Sequence, residues 1–429
     1  MATPSAAGAD ASARLINRLV RAAHTVPEAA AGLIAVIRTD PRTYLPLTLT
    51  IARYGAGPVD AALAAAIKTM DLTYEEAVEL AEILPLDTGI LPHSALAAAE
   101  QSRKRANSDV RLAAALIDLG TRFTVVGRRR EALAATEEAV ELLRQLAAAA
   151  PDTHTPELAR ALHNLGDELG AVGQRHEALA AAEEAVDLFR QLAAADPDTH
   201  TPHLSHALSS LGHELGAVGQ RHEALAAAEE AVELFRQLAA AHPDTHTPHL
   251  SGALHGLGNE LDAVGQRREA LAASEEAVEL LRQLAAAHPD THTPHLSQAL
   301  SNLGGRLGAV GQRREALAAA EEAVQLLRHL AAADPDTHTP NLSGALSSLG
   351  ERLGAVGQRR EALAAAEEAV QLLRHLAAAD PDAHTPKLSG ALHNLGYTLG
   401  AVGQRREALA AAEEAVQLLR HLAAADPDT

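Results

Sequence analysis

Histidine is the residue type in this sequence with the most potential for chemistry, because the chain has 23 histidines and no cysteine. Two clusters of three occupy equivalent places: His242, His246, His249 and His288, His292, His295. Neutral imidazole is the commonest protein ligand for metals. A structural zinc site closes with four ligands, however, and threonine and proline surround these histidines. A metal site, a pH-responsive element and exposed turn residues all remain possible, and the pattern favours the last.

Paired carboxylates are the second candidate, since acid–base catalysis often uses two of them. Glu229 and Glu230 recur as a pair along the chain. Adjacent residues on a helix point in different directions, so the pair predicts a solvated face. The sequence also lacks a phosphate-binding glycine loop, a Gly-x-Ser-x-Gly elbow and a His-Glu-x-x-His motif. We expect no enzyme, no metal and no cofactor; any catalytic site would have to lie within residues 11–106.

Composition narrows the classes of partner. The formal net charge is −20, whereas a nucleic-acid-binding protein needs a basic surface. An anionic membrane surface is disfavoured for the same reason. The sequence contains neither the apolar run of a membrane-spanning helix nor the pattern of a secretory signal. We therefore expect a cytoplasmic protein that binds neither nucleic acid nor membrane.

A stretch that begins at Gly219 organises the chain, because it recurs seven times. The opening glycines are 46 residues apart, at Gly127, Gly173, Gly219, Gly265, Gly311, Gly357 and Gly403. A fixed period of this length is typical of stacked-repeat proteins. Within each period apolar residues recur three and four positions apart, which predicts amphipathic helices; the third copy has Leu204, Leu208, Leu211 and Leu215.

Residues that start and stop helices divide each period in two. Thr201-Pro202 predicts the start of helix A, and Gly219 predicts its end, because glycine adopts the left-handed conformation easily. Helix B should span about 19 residues and end at His242-Pro243. Each repeat is then helix A, a turn, a longer helix B and a polar loop. Small residues on both helices predict a close crossing of their backbones: Gly212, Ala224, Ala228 and Ala231.

These residues resemble the tetratricopeptide repeat. The family pattern has a large apolar residue, then Leu-Gly, an aromatic residue and spaced alanines. The match covers about residues 109–429 and includes all seven copies. In the seventh copy the matching residues are Leu392, Leu395-Gly396, Leu399, Gly403, Ala408, Ala412 and Ala415. Leucine replaces most aromatic residues of the family pattern, and the repeat has 46 rather than 34 residues. The lengthened helix B is similar to that of kinesin light chain repeats.

The resemblance implies an all-α fold: a right-handed α-solenoid of seven 46-residue helix-turn-helix repeats over residues 107–429. Residues 1–10 are small and polar, which predicts disorder. Residues 11–106 lack the period but carry helical patterns, so we expect a helical subdomain that caps the first repeat, or degenerate repeats. The basic run from Arg103 to Arg105 predicts a solvated helix end or linker, with a contact to a phosphate or an acidic partner as the alternative.

Variation among the copies is concentrated on helix A, whereas helix B hardly changes. In the family, helix A lines a concave groove that holds the ligand, so the resemblance implies that these variable residues bind a partner. Neutral drift on a solvent-exposed face is the alternative. The predicted binding residues are His163, Asn164, Asp167, His206, Ser209, His213, His255, Asn259, Gln298, Asn302, Glu351, His393, Asn394 and Tyr397.

Charge also changes along the copies. Near the end of helix A a series of glutamates gives way to arginines and a threonine: Glu168, Glu214, Glu260, Arg306, Arg352 and Thr398. The groove should therefore be more acidic toward the N-terminal copies, which suits a protein or peptide partner with a basic segment.

The predicted function is a scaffold that binds a peptide or protein segment in its concave groove. Long-helix arrays of this kind also occur in bacterial signalling proteins beside nucleotidase or protease domains. A regulatory or sensor component that acts with a separate effector is therefore one alternative. A self-assembling structural array is another, because the last repeat has no polar capping helix and would allow a homo-oligomer.

Overall fold

The computed structural model describes residues 58–83, 91–379 and 381–425, together with single positions and short runs between residues 18 and 48. Its first three complete helices are α1 (Pro58–Lys68), α2 (Tyr74–Ile83) and α3 (Pro92–Arg105). The predicted disorder of residues 1–10 and most of the helical patterns predicted between residues 11 and 57 lie outside the described residues. The capping box at Thr73 is present, since its hydroxyl and the Glu76 side chain each accept a backbone N–H of the other residue.

From Asp109 onward the described residues form seven pairs of helices. The A helices are α4 (Asp109–Val125), α6 (Pro151–Ala171), α8 (Pro197–Ala217), α10 (Pro243–Ala263), α12 (Pro289–Ala309), α14 (Pro335–Ala355) and α16 (Pro381–Ala401). The B helices are α5 (Arg129–Ala149), α7 (Arg175–Ala195), α9 (Arg221–Ala241), α11 (Arg267–Ala287), α13 (Arg313–Ala333), α15 (Arg359–Ala379) and α17 (Arg405–Ala425). The described residues contain no strand, and the predicted all-α fold of helical repeats is confirmed.

The helices belong to two compact units, Met1–Val218 and Gly219–Thr429. Within each unit, from α3 onward, every helix packs against the next one along the chain, as in a solenoid. Among the repeats of each unit the core consists of clusters, most of them built by two B helices and the A helix between them. In one of them Leu327 of α13, Leu346 of α14 and Ala369 of α15 are at most 3% exposed. Apolar stripes that no single pair could bury are thus covered by neighbouring repeats.

A glycine turn ends each A helix, as predicted. All seven glycines have a positive φ, between 76° and 90°. After α6, Gly173 donates its N–H to Gly170 and Gln174 donates to Leu169, which satisfies carbonyls at the helix end. A residue with a Cβ atom adopts this conformation at a cost of about 1 kcal/mol, which favours glycine here.

Helix A starts earlier than predicted. Helix α8 begins at Pro197 and not at Pro202, and the segment expected to be a polar loop forms its first turns. Pro197 takes the first helical position, where its missing N–H is harmless. Asp196 caps the helix by accepting a hydrogen bond of 3.3 Å from the N–H of Thr199. The Asp-Pro start signal therefore outweighs the later Thr-Pro signal.

Pro202 lies inside α8 as a consequence. Its ring removes the N–H that would bond the carbonyl of Asp198, one turn earlier. Asp198 is exposed, so water can satisfy this carbonyl. Helices α7 and α8 are both 21 residues long, and a single residue separates them, so the prediction of a longer helix B of about 19 residues is wrong.

The close crossing of helices A and B predicted from small residues is present. A Cβ atom at Gly304 of α12 would lie 3.2 Å from the carbonyl oxygen of Ala316 on α13. The equivalent distances are also 3.2–3.3 Å at Gly166, Gly350 and Gly396. These contacts are tighter than van der Waals packing normally allows, so a Cβ atom would push the two helices apart and the crossing favours glycine.

Ion pairs connect successive B helices. Arg236 of α9 contacts Glu276 of α11 at 2.7 Å, and Arg282 contacts Glu322 at 2.6 Å. The same pairing recurs at Arg328–Glu368, Arg374–Glu414 and, in the first unit, Arg144–Glu184. The second glutamate of these five Glu-Glu pairs, which were predicted to form a solvated face, thus binds an arginine. Each exposed pair stabilises the contact between two successive B helices by about 0.2–1 kcal/mol, and such a pair occurs at several of these contacts.

Replacing Gly304 with leucine should lower the free energy of unfolding by about 1–3 kcal/mol, because the side chain would displace the backbone of α13. The adjacent Gly305 is the matched control, since a Cβ atom there meets nothing within 4 Å. Gly305→Leu should leave stability unchanged or raise it through helix propensity. Urea unfolding followed by circular dichroism measures both variants, and equal midpoints would contradict the crossing constraint.

Candidate functional site

A cleft of about 880 Å³ lies in the second unit, along the A helices α12, α14 and α16. Its lining is rich in hydroxyl and amide side chains: Gln298, Ser301, Asn302, Asn341, Ser347, Ser348, His393 and Asn394. The opposite wall belongs to α17, where Val416 is 45% exposed and Leu419 is 53% exposed. Their equivalents on α15, Val370 and Leu373, are at most 2% exposed. The cleft therefore pairs a polar floor with an apolar wall.

The serines of this cleft are oriented by their own helices. Ser301 donates its hydroxyl proton to the carbonyl of Ser297 at 3.0 Å, and Ser347 donates to Ser343 at 3.1 Å. Both side chains are half-buried. Because each proton is used within the helix, the oxygen presents lone pairs that can accept a hydrogen bond from an occupant.

A smaller cleft of about 150 Å³ lies between α10 and α12, and it shares Gln298 and Asn302 with the larger one. Asn302 donates its amide N–H to Nδ1 of His255 at 3.2 Å and accepts from Gln298 at 3.3 Å. An amide nitrogen can only donate, so His255 is neutral with its proton on Nε2. Burial, together with Arg306, lowers the pKa of His255 and agrees with this state.

Several other predicted residues also meet. Asn394 donates to Glu351 at 3.3 Å, and these two residues line a third cavity of about 320 Å³ with Tyr397, whose side chain is 77% exposed. In the first unit Nε2 of His163 lies 3.9 Å from the Asp167 carboxylate. Half-buried Asn164 and Ser209, with exposed His206 and His213, also lie on A helices. Ser209 bonds to a carbonyl of its own helix.

Asn259 has a different role from the one expected. Its side-chain oxygen accepts a hydrogen bond of 2.7 Å from Arg306, a residue that is 8% exposed. Arg306 also bonds Asp262 at 3.0 Å and Ser274 at 2.7 Å. A buried guanidinium is thus satisfied by one carboxylate and two neutral groups, as a buried cation requires.

The sequence carried a signal for this network that was not used. Asp262 stands where the other copies from the second to the seventh have glycine, and Ser274 stands where they have alanine. Both departures occur one repeat before the first arginine of the series. Three unusual residues in two neighbouring repeats, Asp262, Ser274 and Arg306, indicate from the sequence alone that their side chains contact one another.

The expected acidic groove is wrong for two of the three glutamates on which it was based, Glu168 and Glu214. Glu168 is 8% exposed and Glu214 is 4% exposed, against the preceding A helix. A Cβ atom at Gly170 would lie 2.7 Å from the Glu214 carboxylate, and Glu168 accepts a hydrogen bond from Thr124. Burial raises the pKa of Glu214, although His213 and Arg175 oppose this effect. These side chains fill repeat contacts and do not line an open surface.

The histidine clusters pack along the first turns of the A helices. The rings of His288 and His292 are 6.3 Å apart, and His249 stacks on Phe235 of α9 at 6.0 Å. At equivalent positions Nδ1 is buried without a hydrogen-bond partner in His246, His292, His338 and His384. At His246 and His292 a proton on Nδ1 would have no acceptor, which opposes the charged form. The exposed-turn interpretation is therefore wrong for His292, which is 8% exposed.

No group of three or more histidine or acidic side chains in the described residues has a geometry that could hold a metal ion. In the N-terminal part, Asp60, His93 and Ser94 lie together but form a helix cap. The Asp60 carboxylate accepts from the backbone N–H groups of His93 and Ser94 at 2.9 and 2.8 Å. Ser94 bonds to Asp60 directly, whereas a catalytic relay needs histidine between them.

The basic run at the end of α3 is engaged within the chain. Arg103 pairs with Glu138 of α5 at 2.9 Å, and Arg105 pairs with Asp71 at 2.6 Å. Glu138 occupies the position that takes part in the row of ion pairs between B helices. Helix α3 therefore covers the first repeat in the manner of a preceding helix B, which favours the degenerate-repeat alternative.

The sequence profile of the tetratricopeptide repeat family matches residues 158–198, 296–336 and 388–427. Each match begins in helix A and ends just after helix B, and the starts are whole multiples of the 46-residue period apart. In these three stretches the chain matches the tetratricopeptide repeat. The intervening copies share the same helices and the same turn glycines.

Solved structures with similar folds include BtubC from P. vanneervenii, at 19% identity and a TM-score of 0.48, over 57% of this chain and 90% of that one. A putative kinesin light chain from Podosopora anserina, with nearly identical TPR-like repeats, has 24% identity and a TM-score of 0.39, over 53% and 99% of the chains. A Rap protein complexed with competence and sporulation factor has 14% identity and a TM-score of 0.49, over 97% and 99%. The comparison with curated proteins gave no match. Among the described helices, none has the length and apolar character needed to cross a membrane.

The network around Arg306 predicts energetic coupling between Ser274 and Arg306. Ser274→Ala alone should cost about 1–3 kcal/mol, because one guanidinium N–H loses its partner inside the protein. In an Arg306→Met background the same change should cost less, with a coupling energy of about 0.5–3 kcal/mol. Urea unfolding of the four proteins in the cycle measures this. Ser297→Ala combined with Arg306→Met is the control pair, and equal coupling in both cycles would contradict a specific contact.

The buried histidines predict a loss of stability in acid. Burial lowers the pKa of His292, and His295 and His288 lower it further, while Asp244 opposes them. Burial also lowers the pKa of His246, as do His249 and His242. The folded pKa values lie below the unfolded value of about 6.5, so the unfolded chain binds more protons and stability falls as the pH drops through about 6.5.

The double variant His246→Gln, His292→Gln should weaken this dependence in thermal melts between pH 7.5 and 5.5. The control removes two exposed imidazoles, His176 and His222. Burial raises the pKa of Asp118 and of Glu214, which acts in the opposite direction, so the comparison between variants is decisive. A pH dependence that is the same in both double variants would contradict the assignment.

Proposed function

We propose that this protein is a scaffold that binds an extended segment of a partner protein along its A helices. The observation that carries the proposal is the cleft of about 880 Å³ over α12, α14 and α16. Tetratricopeptide repeats serve as protein-binding scaffolds, and the cleft lies on the helices whose residues vary most among the copies. Binding residues can change there without disturbing the helix crossings.

The chemistry of the cleft suits a polypeptide backbone. Amide side chains such as Asn394 offer both donors and acceptors, and the hydroxyl oxygens of Ser301 and Ser347 accept hydrogen bonds. A peptide backbone alternates the complementary groups. Three neighbouring A helices at about 8–10 Å spacing span roughly 20 Å, which an extended segment of about six residues would fill.

Two glycines make the cleft accessible. Gly344 and Gly390 line it, and a Cβ atom at either position meets nothing within 4 Å. The floor at these positions is bare backbone, so an occupant can approach closely. Their equivalents in the second and third copies, Arg160 and His206, carry side chains, so the groove of the first unit should select a different sequence.

A groove-filling variant tests this function. Gly344→Trp with Gly390→Trp should fold, because both positions are open, and should abolish partner binding by occupying the cleft. The control places tryptophan at Gly305 and Gly400, where there is also free space but which do not line the cleft. Affinity capture from the native host's lysate, read by quantitative mass spectrometry, compares the three proteins.

The expected result is a partner retained by the wild type and the control and lost by the filled variant. Fragments of that partner should then show that a short segment is sufficient. A partner that the filled variant retains as well as the wild type would place its binding site outside this cleft and contradict the proposal.

A further inference from the structure

The cleft over α12, α14 and α16 differs from the rest of the protein in charge. The chain has a formal net charge of −20, yet no aspartate or glutamate is among the described residues that line this cleft. Of the described side chains in its lining, Lys387 alone carries a permanent charge, and it is exposed. Glu351 and Arg359 line the adjacent cavity of about 320 Å³ instead.

Lys387 is also exceptional in the sequence. It is the one lysine from residue 107 to the end of the chain, and its position in the earlier copies reads Glu157, His203, His249, His295 and Asn341. In the smaller cleft His295 takes this position in the lining, as Lys387 does in the larger one. The position thus lines the groove in successive repeats, and its side chain changes from neutral to positive between α14 and α16.

Among the described residues, Lys387 has no hydrogen-bond or ion-pair partner. Within its cleft the neighbouring groups are hydroxyls, amides and the imidazole of His393. An ammonium with three donors gains most from a carboxylate, because a charge-assisted hydrogen bond is about twice as strong as a neutral one. The same cleft exposes Val416 and Leu419 on α17, which favour an aliphatic group.

From this arrangement we propose that the cleft selects a segment with an aspartate or glutamate side chain beside an aliphatic residue. The carboxylate binds Lys387, the aliphatic side chain covers Val416 and Leu419, and the segment's backbone bonds to the amides and hydroxyls of α12 and α14. This specificity rests on the proposed function, since it names the segment that the groove would hold. It replaces the basic partner segment expected from the sequence with an acidic one at this end of the groove.

The direction of binding follows from the same residues. Toward α10 the groove continues into the smaller cleft, where His255, Gln298 and Asn302 are neutral and already bonded to one another. None of the described residues that line that cleft carries a permanent charge. The acidic residue of the segment therefore lies at the α16 end, and uncharged polar residues lie toward α10.

Selection from a phage-displayed library of random 12-residue segments tests the proposal on the full chain. Segments enriched on the wild type should carry an aspartate or glutamate next to an aliphatic residue. A synthetic peptide of the best sequence should lose about tenfold or more in affinity when its acidic residue becomes the corresponding amide. Binding should also weaken with added salt, because the contact is partly exposed.

Lys387→Asn is the matched variant, since asparagine is the native residue at this position in α14. It should bind the acidic peptide about tenfold more weakly, and it should no longer distinguish that peptide from its amide form. Amidating the peptide's C-terminus should change nothing. Loss of binding on amidation would overturn the assignment to a side-chain carboxylate.

Two other outcomes separate the proposal from the function beneath it. The proposal would be overturned if the enriched peptides lacked an acidic residue, or if the acidic preference survived Lys387→Asn. Groove binding itself would still stand in that case if Gly344→Trp with Gly390→Trp abolished binding. Peptides that bind the tryptophan-filled protein as well as the wild type would overturn both.

Discussion

The contact between the glycine of helix A and a backbone carbonyl of helix B is the constraint that recurs at Gly166, Gly304, Gly350 and Gly396. At Gly304 a side chain would press on the backbone of α13, since a Cβ atom would lie 3.2 Å from the oxygen of Ala316. This approach sets the distance between the two helices of a pair. The adjacent alanines then pack without gaps, and the leucines above and below meet the next repeat. The core is consequently built from small residues and leucine with few aromatic side chains.

The constraint also explains why the two helices of a repeat differ in variability. Helix B packs against the helices before and after it in the chain and carries the arginine and glutamate of the ion-pair row, such as Arg328 and Glu368. Few of its positions can change without affecting a neighbour. Helix A has one face in the core and another on the cleft, and residues such as Gln298 and Asn341 on the latter face are exposed. The ion pairs therefore explain why the second glutamate of each pair does not vary among the copies.

Buried polar groups give individual repeats a distinct identity in an otherwise uniform array. The Arg306 guanidinium is bonded at three nitrogens by groups that occur together at that repeat contact. At the equivalent contact between the first two copies, Glu168 bonds to Thr124 instead. Such networks are costly when a partner is missing, so they disfavour pairing of a repeat with the wrong neighbour. The cleft itself is uniform by comparison, with hydroxyl and amide groups at most positions and a single lysine near its end.

Local chain chemistry by itself determined the period, the helices and the turns. The seven turn glycines, from Gly127 to Gly403, fixed the ends of the A helices. A single glycine is enough for this, because it adopts the left-handed backbone conformation without steric cost. The start of helix A was misplaced by five residues, since two proline signals compete and the earlier one also carries a cap at Asp196. Tertiary structure alone decided which variable residues face the cleft. Asn259 and Asn302 look alike in sequence, yet one satisfies a buried arginine and the other lines a groove. Side-chain burial depends on the neighbouring repeat, and the spacing within one helix does not contain that information.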